Sequence, residues 1–273
     1  MMIADGLKHC AMFTRATHLL LNPPFGLMTA PADCKWAGGR ITEAAIFVVA
    51  ALEQAKPGTE LLAILPDVLR SGSFSQRWRN RVSELAEVHL IEPYGIFDDH
   101  ADVDVFLLRL TRRNGDKSKQ KQMWPILRKG RKTMVADYFD VHVGRVVPHR
   151  DPKKGPQHPY IHPRCVPSWV VMREFPEKRR HEGLVYEPPF VVIRRTSRPG
   201  HLYRATGTVI TGERPVAVEN HLIICQPKDG KVRICKELMQ QLKTKQVNEY
   251  LNARIRCRHL TVGSVQTIPF SPL

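Results

Sequence analysis

Residues 16–21 read ATHLLL and run directly into Asn22-Pro23-Pro24-Phe25; the first 110 residues are best read outward from these ten. A short apolar run bounded by turn residues reads as a buried strand. Two consecutive prolines lack amide hydrogens, so no ladder continues past Asn22. The tetrapeptide is therefore a stiff turn presenting an amide and an aromatic ring at the carboxyl end of a strand. That end is where ligands bind in open α/β sheets. Taken alone, the four residues are equally well a plain Pro-Pro turn.

Beyond Phe25 the chain alternates between helix and strand patterns. Residues 41–56 (ITEAAIFVVAALEQAK) predict a largely buried helix, stopped by Lys56-Pro57-Gly58. Residues 60–65 (ELLAIL) predict a second strand, closed by Pro66. Residues 74–85 predict a helix with a basic face at Arg77, Arg79 and Arg81, and residues 88–91 and 103–110 two further strands. Strand–helix alternation implies an α/β fold with a mainly parallel sheet covered by helices. Residues 111–133 are a polar, basic connector, which places a domain boundary there.

In residues 134–273 the strand-like stretches are 138–147, 190–195, 206–210, 216–224 and 232–235, with turn signals at Pro199-Gly200 and Asp229-Gly230. Helices are expected over 236–242 and 247–254. This is a mixed α+β domain.

The order of these features resembles the amino-methyltransferases that modify adenine-N6 in DNA. The resemblance rests on the strand before Asn22-Pro23-Pro24-Phe25, the long apolar helix ending in KPG, the second strand with Leu65-Pro66-Asp67, residues 78–82, and residues 88–110 ending in EPYGIFDDHADVDVFLLRL. It covers residues 16–110 nearly without gaps. It implies the second half of a Rossmann-like, S-adenosylmethionine (AdoMet)-dependent methyltransferase sheet, with residues 1–110 as a partial catalytic domain. A base inside a duplex must be flipped out to be modified. The resemblance implies that the Asn22 side-chain oxygen and the Pro23 carbonyl accept the two hydrogens of the adenine amine. It also implies that Pro24 stiffens the loop and Phe25 stacks on the base. Phe97 has two readings, a second stacking ring or a core residue; Asp67 reads as a helix or loop cap.

Residues 134–273 resemble the target-recognition domains fused behind such catalytic domains. The residues concerned are Arg145, Arg194, Arg195, Arg198, Asn220, Arg254, Arg256 and Arg258. Arginine reads guanine edges and binds phosphate, and Asn pairs with adenine. Most phosphate contacts give affinity rather than specificity, so several of these arginines are expected to be phosphate or scaffold residues.

Members of this order carry an AdoMet-binding segment upstream of the NPP[FY] loop, with a glycine-rich turn and a ribose-binding acid. Only 21 residues precede Asn22, whereas one βαβ unit takes about 30. The expectation is a partial or split enzyme whose AdoMet-binding strands come from a second polypeptide or from sequence outside this chain. Its DNA partner is double-stranded. The alternative is a non-catalytic DNA-binding specificity module, which has no need of an intact NPPF. Cytosine-N4 or RNA methylation are lesser variants; restriction-modification is the expected setting, and the sequence specifies neither the target site nor the restriction partner.

Composition adds bounds. No apolar run reaches about 18 residues, so no membrane span is expected. The six cysteines form no CxxC pair, which points to a reduced, cytoplasmic setting. His158, His162 and Cys165 have metal-ligand chemistry, but no fourth ligand has suitable spacing, so no metal is expected.

The net charge of +16 is unevenly spread: residues 1–110 hold 10 Lys/Arg and 13 Asp/Glu, a net of −3, leaving +19 for residues 111–273. A basic excess confined to one half fits a surface that meets a polyanion. Residues 111–273 should therefore bind duplex DNA at low salt with an affinity that falls steeply as salt rises. Residues 1–110 should not. Equal binding by both fragments in a fluorescence-anisotropy titration would contradict the assignment.

Overall fold

The computed structural model describes residues 10–98, 103–115, 124 and 133–272. The chain forms two compact units, Met1–Arg128 and Lys129–Leu273. In chain order the first contains β1 (His18–Leu21), β2 (Leu27–Thr29), β3 (Arg40–Thr42), α1 (Glu43–Gln54), β4 (Glu60–Pro66), α2 (Asp67–Ser71), α3 (Gln76–Leu85), β5 (Ala86–Ile96) and β6 (Asp104–Arg112).

The main sheet has the order β1-β4-β6-β5. β1 lies parallel to β4, from His18↔Glu60 to Leu21↔Ala63, whereas β6 is antiparallel to both β4 and β5. The expectation of a mainly parallel sheet is thus corrected, since one of three pairings is parallel. The cause is connection length: residues 97–103 are too few for a crossover, so β5 and β6 can only pair antiparallel. β1, β4 and β5 still run in one direction. β5 also carries irregularities between Val88 and Leu90 and between Pro93 and Gly95, where Pro93 cannot donate and Gly95 adopts φ 119°.

α1 begins two residues later than the apolar pattern predicts. Ile41 and Thr42 pair with β2, and the Thr42 hydroxyl accepts from the Ala45 amide at 3.3 Å, capping the helix. Ala44, Ala45, Val48, Val49, Ala51 and Leu52 are all buried. The basic face expected on α3 is also corrected. Residues two apart on a helix point about 200° away from each other, and Arg79 turns inward. Its guanidinium donates to the carbonyls of Leu69 (2.9 Å) and Gly72 (3.0 Å), tying down the end of α2. Asp67 is buried at the start of α2, ion-paired with Arg70 at 2.6 Å.

Most of the expected connector 111–133 lies outside the described residues. Trp124 does not, and it is a core residue rather than part of a polar linker. It donates to the Ser83 hydroxyl at 3.1 Å and lies 5.4 Å from the Trp78 ring.

The second unit contains α4 (Val135–Tyr138), β7 (Phe139–Val143), β8 (Gln157–Ile161), β9 (Val171–Met172), β10 (Glu177–Arg180), β11 (Phe190–Arg194), β12 (Gly207–Ile210), β13 (Ala217–Val218), β14 (Leu222–Pro227), α5 (Val232–Leu242), α6 (Lys245–Arg254) and α7 (Val262–Gln266). A five-stranded sheet, β7-β14-β11-β12-β9, is buried on both faces. Val191, Ile193, Ile223 and Cys225 pack with Leu238 and Leu242 of α5, while Phe190, Val192, Leu222 and Ile224 pack on the opposite side. A smaller sheet has the order β10-β8-β13.

Three expectations are corrected here. Residues 232–235 open α5 rather than forming a strand. Four residues alternating as V-R-I-C fit a period of 2, but Ile234, Cys235, Leu238, Met239 and Leu242 form one buried helical stripe. The expected strand 216–224 breaks into β13 and β14 around the turn at Glu219-Asn220-His221, where the Leu222 amide donates to the Glu219 carbonyl at 3.0 Å. The expected strand 138–147 shortens to Phe139–Val143: Tyr138 closes α4, and after Val143 a Cβ on Gly144 would stand 2.1 Å from the Glu219 carbonyl oxygen. Only glycine permits that approach.

Trp78 is fully buried and donates to the Ala45 carbonyl at 3.1 Å, joining α3 to α1. Trp78→Ala should cost about 3–5 kcal/mol in urea denaturation of the full chain. A change under about 1 kcal/mol would show that the two helices do not depend on it.

Candidate functional site

In the first unit the chain leaves the sheet at Leu21. Pro23 is buried, Asn22 and Pro24 are exposed, and Phe25 is half-buried against the core. The far end of the loop is held by the Glu43 amide, which donates to the Gly26 carbonyl at 2.8 Å. Loop 22–26 is thus strung between the end of a strand and the start of α1. The Asn22 side-chain amide has no hydrogen-bond partner among the described residues, so its oxygen and nitrogen are both available to a ligand.

Phe97 follows β5, and its amide donates to the Val103 carbonyl at 3.0 Å. Its ring meets that of Phe25 edge to face, 5.5 Å between centroids and 72° between planes. The structure thus joins two aromatics 72 residues apart in sequence. Both follow strands that run in the same direction, so both emerge at the carboxyl edge of the sheet. For a flat ligand to stack between the rings, their contact would have to open.

β1 is an edge strand among the described residues, and Leu20 is 80% exposed on it. A cleft of about 590 Å³ lies elsewhere, between α1, α3 and the segment carrying Asp33, Cys34 and Trp36; none of residues 22–25 lines it.

In the second unit, segments 195–197 and 258–260 lie side by side. The Ser197 amide donates to the Arg258 carbonyl and the Leu260 amide to the Arg195 carbonyl, both at 2.8 Å. This brings Arg195 and Arg258 to His259, together with His221 from the turn before β14. The Arg195 guanidinium also donates to the Asn220 carbonyl at 3.1 Å. Burial first, then the charges of Arg195, His221 and Arg258, hold the His259 imidazole below the ordinary histidine value. His221 is itself paired with Glu219 at 2.7 Å. Arg198 is exposed nearby in sequence, whereas Arg254 ends α6 and is half-buried, as is Arg256.

Not all the candidate arginines serve this face. Arg194 donates to the Val166 carbonyl at 2.8 Å and is tied to the scaffold. Arg145, beside the Tyr186 phenol, lines a cleft of about 510 Å³ with Asp151, His181 and Leu184. Sequence reading passed over Arg204, which is 1% exposed and bonds to both segments of the face. Its neighbours in sequence carry no signal of burial.

His162 and Cys165 converge with Glu177, while His158 pairs with Arg179 in the β8–β10 ladder. Both ring nitrogens of His162 are engaged, Nε2 with Glu177 at 2.8 Å and Nδ1 with the Arg164 amide at 3.3 Å. Burial pushes the Cys165 thiol above its ordinary value.

No family model matches the chain, and no curated protein matches it either. Among solved structures it is similar to the M protein of the type I restriction enzyme EcoKI, with 21% identity and a TM-score of 0.34 over 42% of this chain and 26% of that one. It is also similar to the type IIG restriction endonuclease BpuSI, with 13% identity and a TM-score of 0.41 over 97% of this chain and 48% of that one. A third similarity, to a chain of a type I restriction-modification system, has 19% identity and a TM-score of 0.32 over 42% and 25%. This chain therefore spans about half or less of each. No helix among the described residues is long and apolar enough to cross a membrane.

His181 and His259 are both held below the ordinary histidine value, chiefly by burial. As pH falls below that value the unfolded chain takes up protons before the folded one, so stability is full above it and lost below. The urea midpoint of the full chain should drop between pH 7.5 and pH 5, and His259→Gln should reduce that drop. A midpoint that rises on acidification would refute this sign.

Proposed function

We propose that this chain is the catalytic-loop and target-recognition part of a methyltransferase acting on the adenine amino group in duplex DNA. The observation that carries the reading is the exposed, unpartnered Asn22 amide at the carboxyl end of β1, with the Phe25 and Phe97 rings paired beside it. The amine of adenine is a poor nucleophile because its lone pair is delocalised into the ring. Two acceptors, the Asn22 side-chain oxygen and the Pro23 carbonyl, would draw on its hydrogens and raise electron density at nitrogen without a strong base. Phe25 and Phe97 would hold the base by stacking. A pure binding module has no use for this constellation.

AdoMet would supply the methyl group. What this chain offers the donor is the open end of β1 and the loop behind it. The edge of β1, unpaired among the described residues and with Leu20 exposed, suits a neighbouring strand from a partner or from further sequence, which would carry the donor's adenosine and carboxylate. The cationic face of the second unit would meet phosphate and base edges. Arg195, Arg198, Arg258 and Asn220 are its foremost members; Arg254 and Arg256 support it, Arg145 extends it, and Arg194 serves the scaffold.

The test is methyl transfer from labelled AdoMet to plasmid DNA by the chain isolated with its native partners, followed by nucleoside analysis. The label should appear as N6-methyladenine, and Asn22→Ala should cut turnover by about a hundredfold or more while leaving DNA affinity unchanged. Label in cytosine would overturn the adenine assignment. Undiminished turnover in Asn22→Ala would overturn the role of the loop. DNA binding without transfer under any partner would leave a specificity module.

A further inference from the structure

We infer that Arg204 is the positioning residue of the cationic face, a single buried guanidinium that sets the placement of both arginine-bearing segments at once. The inference rests on the DNA-binding reading above for its purpose, but its geometry stands apart from it. Nε donates to the Ser197 hydroxyl at 2.9 Å, within the segment that carries Arg195 and Arg198. Nη1 donates to the Asn252 side-chain oxygen at 2.8 Å and to the Ile255 carbonyl at 3.1 Å, and Nη2 to the Cys257 carbonyl at 3.1 Å. The Arg204 amide is held in turn by the Asn248 side-chain oxygen at 2.7 Å, and the Asn248 amide donates to the His201 carbonyl at 3.2 Å.

The pattern of acceptors explains the effect. Ile255 is extended, at φ −151° and ψ 119°, and its side chain is buried. Binding the carbonyls of 255 and 257 from one guanidinium fixes two points of the segment that leaves α6, on either side of Arg256 and just before Arg258. Arg258 is exposed there beside His259. On the other side the Ser197 bond holds the strand that pairs with Arg258 and Leu260 through main-chain hydrogen bonds. A planar guanidinium with five donors in a fixed fork can reach these four acceptors together; a lysine ammonium, a compact group with three donors, cannot.

The experiment uses the full chain as wild type, Arg204→Lys and Arg204→Met, with three readouts: urea denaturation, NMR titration of the His259 ring, and duplex DNA affinity against salt. In folded Arg204→Lys the His259 titration should move up toward the ordinary histidine value, since its burial and its contacts with Arg195 and Arg258 loosen. DNA affinity should fall roughly tenfold, with a salt slope smaller by about one for each phosphate no longer neutralised. A merely stabilising residue would lower the urea midpoint and leave the His259 titration and the salt slope alone; that result overturns the inference. If neither Arg204 variant folds, Ser197→Ala and Asn252→Ala each remove one bond and keep the arginine. Both should shift His259 in the same direction, and an unchanged titration in both overturns the inference equally. A His259 shift in a chain whose wild type binds no DNA would uphold the positioning and sink the DNA reading instead.

Discussion

A strand followed one residue later by two prolines, which lack amide hydrogens, cannot continue its ladder, and the first unit is arranged around that stop. β1 pairs with β4 only as far as Leu21, and the chain then has to leave the sheet. Its path is set at the other end by the Gly26 carbonyl, bound to the first amide of α1. The loop between is held at both ends by the main chain and along its length by Pro23 and Phe25. Asn22 stands in solvent, its side-chain amide without a partner among the described residues. The same edge of the sheet receives Phe97, because β5 runs with β1, and the two aromatic rings meet there.

The second unit solves a different problem. Its five-stranded sheet is apolar on both faces, so polar chemistry is confined to the turns and to segments that lie beside the strands. Such segments are anchored at a few apolar residues, as at Ile255 and Leu260. They are fixed by main-chain hydrogen bonds, by the glycine approach at Gly144, and by arginines turned inward. Burial divides one residue type into two jobs. Arg79, Arg194 and Arg204 donate to carbonyls of the scaffold, whereas Arg198 and Arg258 face water. A buried guanidinium suits the first task because each of its donors must find an acceptor, and a loop's unpaired carbonyls supply them.

Part of this was legible along the chain. The run before Asn22 is a strand, but not the buried one its apolar residues predict: it lies at an edge among the described residues, with Leu20 80% exposed. The apolar stripe of α1 and the strand ending at Pro66 follow their patterns to within two residues at each end, since burial of one face and the loss of amide donors are local properties. The concentration of positive charge after residue 110 needs no structure at all. β8 and β10 were missed because QHPYI and EKRR carry no apolar alternation; their pairing with each other, not their own sequence, makes them strands. Trp124 looked like part of a polar linker because its neighbours are polar, yet it fills the core beside Trp78.

The sequence by itself determined which stretches avoid water, where the ladder after β1 must stop, and which half of the chain is cationic. Only the tertiary structure decided that β6 inserts antiparallel between β4 and β5, that Phe97 reaches Phe25, and that Arg204 belongs inside while Arg258 stays out. The physical reason is that periodicity records a residue's preference for apolar surroundings or solvent. An arginine or an aromatic ring satisfies that preference in more than one way, and the choice falls to whichever carbonyl or ring the fold brings within reach.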